Sequence, residues 1–84
     1  MANDLKTIHV QYYALLREQR GVNEERLETS ANTAIQLYDE LQREYKFRLP
    51  TNILKVAIND EFAGWNTAIK SGDTIIFIPP VAGG

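Results

Sequence analysis

Apolar and polar positions along the chain change period several times, and each change marks an element. Ile8, Val10 and Tyr12 alternate with Thr7, His9 and Gln11, the period-two pattern of a strand with one buried face. Tyr13 then falls on the outer side of that strand. Ala14–Arg20 consists mostly of good helix formers and runs into Gly21, a residue suited to a C-terminal cap, so a short helix is predicted there. Glu24–Thr29 predicts a second strand paired with the first, and its charges would discourage unwanted pairing at a sheet edge.

The period changes to helical after Thr33. Thr33 is positioned as an N-terminal cap, with Gln36 three residues on to complete a capping box. Ala34, Leu37, Tyr38, Leu41 and Tyr45 recur at spacings of three or four and line one face, while Asp39, Glu40, Gln42 and Arg43 take the other. Lys46 and Arg48 stand where cations favour a helix end, and Pro50 prevents continuation. This amphipathic helix is expected to lie across a sheet.

Ile53–Ile58 reads as a third strand with Leu54, Val56 and Ile58 on one face, and Asn59-Asp60 begins a turn. Glu61-Phe62-Ala63 adds a short strand before an irregular stretch that contains Trp65. Ser71-Gly72-Asp73 signals another turn, and Thr74–Ile78 is a strand that is apolar on both faces, as a central strand is. Pro79-Pro80 ends it, since proline cannot donate to a ladder. The first and last strands both read as core, so if they are adjacent they run parallel, with a hairpin flanking each. That is an α+β chain with a mixed sheet of four to five strands covered by one main helix: a ubiquitin-like β-grasp. At 84 residues it makes a single domain, 1–84, with one modest core and a flexible tail at 79–84.

Composition narrows the function classes. The net charge is −2 and no basic stripe is present, so the electrostatic footprint of a nucleic-acid binder is missing. No apolar run approaches the length of a membrane span, and the polar start Met1–Lys6 does not resemble a signal peptide, which points to the cytoplasm. The chain has no cysteine, which removes disulfides, thiolate metal sites and a side-chain sulfur nucleophile. It also lacks a glycine-rich phosphate loop followed by Lys-Ser or Lys-Thr.

The candidate chemistry sits in Pro79-Pro80-Val81-Ala82-Gly83-Gly84. Two prolines favour an extended start, and six residues in that geometry reach about 19 Å. Side chains shrink toward the end, and the paired glycines, without Cβ atoms, suit a narrow channel and a close approach to the backbone. A terminal carboxylate is a poor electrophile, but adenylylation supplies a good leaving group, and a sulfur nucleophile that displaces AMP leaves a thiocarboxylate. A partner would bring the ATP site. An incidental Gly-Gly end arises in about 0.5% of chains of average composition. The dipeptide alone therefore decides little; its place directly after Pro-Pro and a buried strand carries the reading.

From Ile8 to Gly84 the chain resembles the small subunits of molybdopterin synthase, the MoaD family. The resemblance lies in Val10-Gln11-Tyr12-Tyr13-Ala14-Leu15-Leu16-Arg17-Glu18 with Gly21, in Val56-Ala57-Ile58-Asn59, in Ser71-Gly72-Asp73-Thr74-Ile75, and above all in Phe77-Ile78-Pro79-Pro80-Val81-Ala82-Gly83-Gly84. It departs at Tyr12-Tyr13, where that family often has phenylalanines, and in the polar start before Thr7. The resemblance implies a sulfur carrier with no bound cofactor. Gly84 would be adenylylated by an ATP-using activating enzyme and converted to a thiocarboxylate (1-thioglycine) with sulfur from a donor protein. Residues 79–83 would thread into the large subunit of a heterotetrameric synthase, where sulfur passes to precursor Z in molybdenum cofactor biosynthesis. The catalytic lysines of that family belong to the large subunit.

Other residues have weaker claims. His9, the single histidine, lies on the outer side of a strand as a solvent or interface residue; catalysis or metal binding needs partner groups that the sequence does not place beside it. Arg17 and Glu18 read as a solvated helix surface, the acids of the long helix as its wet face, and Trp65 as a partial core plug. Tyr13, Ile76 and Ile78 fall opposite Tyr12, Ile75 and Phe77, on the sheet face away from the long helix. There they predict an apolar patch that docks the activating enzyme and the large subunit. Two further readings share features with the first. One is a carrier for another pathway, such as thiamine synthesis, or a ubiquitin-like protein modifier; Ala14–Gly21 and the long helix make this chain longer than thiamine-type carriers usually are. The other is an interaction module with an incidental Gly-Gly end.

Overall fold

A computed structural model describes residues 5–80. The elements are β1 (Lys6–Tyr12), α1 (Ala14–Arg20), β2 (Glu24–Thr29), α2 (Ala34–Tyr45), a 3-10 turn (Thr51–Ile53), β3 (Lys55–Ile58), β4 (Glu61–Ala63) and β5 (Thr74–Ile78). The five strands form one mixed sheet in the order β2-β1-β5-β3-β4. β1 and β5 are parallel, from His9↔Thr74 to Tyr12↔Phe77, and the other neighbours are antiparallel. Apolar on both faces, β5 sits at the centre, and the charged β2 forms an edge. This is the β-grasp that the order of elements predicts.

Period-two alternation directs Ile8, Val10, Tyr12, Val56, Ile75 and Phe77 to one face, where each is at most 2% exposed. The helical period of α2 directs Ala34, Leu37, Tyr38 and Leu41 onto them. Each large side chain buried this way stabilises the fold by about 1.5–3 kcal/mol. Tyr38 is the hub: its ring lies 5.1 Å from Phe77, 5.8 Å from Trp65 and 5.9 Å from Phe47. Its hydroxyl donates to the Leu49 carbonyl at 2.6 Å, which satisfies a polar group that burial would otherwise strand. Trp65 stacks on Phe77 at 6.0 Å and plugs one side of the core, as expected.

The helix ends show how the chain is steered. Thr33 Oγ1 accepts from the Gln36 amide at 3.4 Å, while Gln36 Oε1 accepts from the amide of Asn32, not that of Thr33, at 2.8 Å. The capping box thus closes one residue further out than the simple pattern predicts. α2 stops because Lys46 turns left-handed, φ 58°, well before Pro50, and returns Phe47 to the core.

Two strand boundaries differ from the sequence reading. β1 begins at Lys6, which pairs with Thr29. The third strand begins at Lys55, not Ile53, because the preceding amides are already used: Ile53 N–H donates to Pro50 O and Leu54 N–H to Thr51 O. An amide bound in a 3-10 turn is lost to the ladder.

Between β3 and β4, Asn59 and Asp60 both have positive φ, 53° and 73°, the geometry of a two-residue hairpin turn. Asn59 also clasps the start of β5. Its Oδ1 accepts from the Thr74 amide and its Nδ2 donates to Asp73 Oδ1, both at 2.9 Å. Asp73 Oδ2 in turn accepts from the Lys70 amide at 2.8 Å. Among the described residues no helix is long and apolar enough to cross a membrane.

Candidate carrier tail and docking face

The central strand leads straight to the candidate tail. Ile78 is the last residue of β5 and pairs with Lys55 of β3; Pro79 is half-buried and Pro80 exposed. Val81, Ala82, Gly83 and Gly84 lie outside the described residues.

Around that root the sheet face opposite α2 is largely apolar. One row across the strands runs Gln11, Ile76, Ala57, Phe62, as the registers dictate. The next row carries Ile78 and Lys55, and Tyr13, extended at φ −128° and ψ 152°, lies one step beyond the last paired rung of β1 and β5. Tyr13 is 47% exposed, and Ile76 and Ile78 are half-buried. The three residues singled out from alternation are therefore brought to one face.

Sequence reasoning missed Phe62 on this face. It is 74% exposed, more than any other large apolar side chain among the described residues. Alternation separates it from Glu61 and Ala63, but a three-residue strand does not reveal which face it presents until its pairing with Ala57 is known. Around the start of β3 and the end of β4 a groove of about 470 Å³ is lined by Leu54, Lys55, Val56, Phe62, Ala63 and Trp65. Five of these six are apolar, and Lys55 is the cation among them.

The other polar candidates resolve into structure. His9 Nε2 lies 2.6 Å from Glu24 Oε1 on the outer face, at the β1–β2 side. Arg17 and Glu18 are exposed on α1. Arg20 grips Glu25 through two bonds, Nε to Oε2 at 2.9 Å and a terminal nitrogen to Oε1 at 2.7 Å, and its guanidinium lies 4.0 Å above the Tyr45 ring. The same Glu25 accepts from the Tyr12 hydroxyl at 2.6 Å. Hydrogen bonding to Arg20 holds the Glu25 carboxyl below its ordinary range, against the opposing effect of burial, with the Tyr12 bond adding to the shift. Burial, then the Glu25 contact, pushes the Tyr12 hydroxyl far up, and burial pushes that of Tyr38 up to about 12. Both tyrosines stay neutral donors at physiological pH. No group of three or more His, Asp or Glu side chains is arranged to hold a metal among the described residues.

Comparison with known proteins agrees with this layout. The family model described as the ThiS family matches residues 10–84. The molybdopterin synthase sulfur carrier subunit of Haemophilus influenzae is 35% identical over 80 residues, covering 92% of this chain and 99% of the relative. Among solved structures, the complex of subunits 1 and 2 of molybdopterin-converting factor from Helicobacter pylori contains a chain 28% identical, with TM-score 0.63, covering 93% of this chain and 99% of that one. Small archaeal modifier protein 1 from Methanosarcina acetivorans shares the fold, with TM-score 0.77 at 24% identity over 98% of this chain and 100% of the other.

Proposed function

This chain belongs to the ThiS family and is a homologue of molybdopterin synthase sulfur carrier subunits; from that premise we propose that it carries sulfur as a thiocarboxylate on Gly84 for molybdopterin synthesis in the cytoplasm. The observation that carries the proposal is the continuity of β5. One strand presents Ile76 and Ile78 on the outer face and then runs directly into Pro79-Pro80. A partner that docks on that face is thereby aligned to receive the segment that follows.

The chemistry divides between carrier and partners. An activating adenylyltransferase joins the Gly84 carboxylate to the α-phosphate of ATP and releases pyrophosphate. A persulfide on a donor protein attacks the acyl carbon and AMP leaves, and a second thiol then reduces the resulting acyl disulfide, giving the thiocarboxylate and a donor disulfide. Residues 79–83 then enter the large subunit of molybdopterin synthase, where sulfur passes to precursor Z and the carboxylate is regenerated. Tyr13, Ile76 and Ile78, with Phe62, form the docking surface for the large subunit and the activating enzyme. Such a patch suits successive partners because burying it drives association without requiring a unique hydrogen-bond pattern.

The test is mass spectrometry of the chain after incubation with ATP, the activating enzyme and a sulfur donor. The expected product has one oxygen of Gly84 replaced by sulfur, and it converts precursor Z when the large subunit is added. Deleting Gly84 should abolish both steps and leave the thermal midpoint unchanged. Sulfur transfer by the deleted chain would overturn the proposal.

A further inference from the structure

Lys55 occupies an unusual position for a lysine. It stands on the outer face opposite Ile78, one residue before the tail prolines, with Ala57 two positions on along its own strand. β4 pairs with β3 only at Val56, Ala57 and Ile58, so Lys55 stands where the apolar outer face meets the uncovered start of β3. No hydrogen bond or ion pair engages its ammonium group among the described residues. The acids nearest in the fold are turned elsewhere: Glu61 shares a rung with Ile58, on the opposite face, and Asp60 is at the far end of the hairpin. Lys55 thus brings to an apolar surface a positive charge with no partner among the described residues, beside the apolar groove that it helps to line.

We propose that Lys55 is a specificity-determining residue of the carrier, pairing with a carboxylate on the molybdopterin synthase large subunit while an apolar side chain beside that carboxylate fills the Leu54–Trp65 groove. This rests on the function proposed above and adds to it the chemistry of the partner's surface. An apolar patch attracts many partners; a single charge at its margin selects among them, because an apolar surface without an acid opposite leaves the ammonium desolvated and unpaired. Its place next to Ile78 matters as well. A pair formed there fixes the docking register at the point where the tail departs, so a partner's channel and the tail root are aligned by the same contact.

The experiment is titration of the complete chain with the purified large subunit at low and moderate salt, using wild type, Lys55→Met, Lys55→Arg and Lys55→Glu. Lys55→Met should weaken binding about tenfold and flatten its salt dependence, Lys55→Glu should weaken it further, and Lys55→Arg should stay close to wild type. Thermal midpoints should agree across the set, since the side chain is exposed and unbonded. A Lys55→Glu defect rescued by reversing one acidic residue of the large subunit would identify the pair. Wild-type binding that Lys55→Met leaves unchanged or strengthens would overturn the inference alone. It would assign the lysine to keeping the free patch soluble, or to pairing within its own chain. No binding by the wild-type chain would overturn both this inference and the large-subunit reading.

Discussion

Tyr12 and Glu25 share a 2.6 Å hydrogen bond that joins the end of β1 to β2, and Arg20 completes the contact from the end of α1. The tyrosine ring is 1% exposed, so its hydroxyl depends on Glu25 for a partner. Glu25→Ala leaves that hydroxyl unsatisfied and frees Arg20, a loss of about 2–3 kcal/mol. Urea unfolding at neutral pH measures it, and Glu25→Gln, which still offers an acceptor, should lose about half as much.

The same carboxylate makes the fold sensitive to acid. Its folded pKa lies below the ordinary 4.5, so its contribution is complete above that value and fades as pH falls through the folded one. Wild type should therefore lose more stability than Glu25→Gln between neutral pH and the acid range. Equal losses in parallel urea titrations would place the acid sensitivity elsewhere.

Asn59 combines a left-handed backbone with two side-chain bonds to the start of β5. Asn59→Ala should cost about 2–3 kcal/mol, since it removes both bonds and puts a Cβ-bearing residue without a polar side chain at positive φ. Asn59→Gly keeps the turn and should cost about 1 kcal/mol. The gap between the two variants in thermal melts reports the backbone term.

Lys46 ends α2 at φ 58° and ψ 42°, where glycine is usual. Lys46→Gly should stabilise the chain by about 0.5–1 kcal/mol. For a domain of this size that raises the thermal midpoint by about 3–6 °C. A lowered midpoint would mean that the lysine side chain contributes more than the strained backbone costs.

Phe62 is largely exposed, so Phe62→Asp should leave the fold intact while binding to the large subunit falls about tenfold or more. Ile78→Lys should act in the same direction. Calorimetric titration that finds both variants as tight as wild type would remove the outer face from the docking surface.

Much of this architecture is legible before any coordinates. Alternation in Ile8-Val10-Tyr12 and the two-sided apolarity of Thr74–Ile78 place the parallel core pair, and the helical spacing from Ala34 to Leu41 places the covering helix. The limits are equally physical. Ile53 and Leu54 look like strand residues, and only the local amide bonding to Pro50 and Thr51 withdraws them from β3. Phe62 was missed because the strand that carries it is too short to declare its own face. Lys55 reads as an ordinary polar alternation until its rung with Ile78 is known.

Pairing β1 with β5 has a consequence for synthesis. Every other strand precedes β5 in the chain, yet β5 supplies the centre of the sheet, including Ile75 and Phe77 of the core. A nascent chain still lacking that strand exposes the inner edge of β1 and much of its interior, and the long-range parallel ladder forms only after residues 74–78 emerge. The outer face around Ile76 and Ile78 comes into being in that same event. A partner that recognises this face therefore engages only chains in which β5 has taken its place in the sheet.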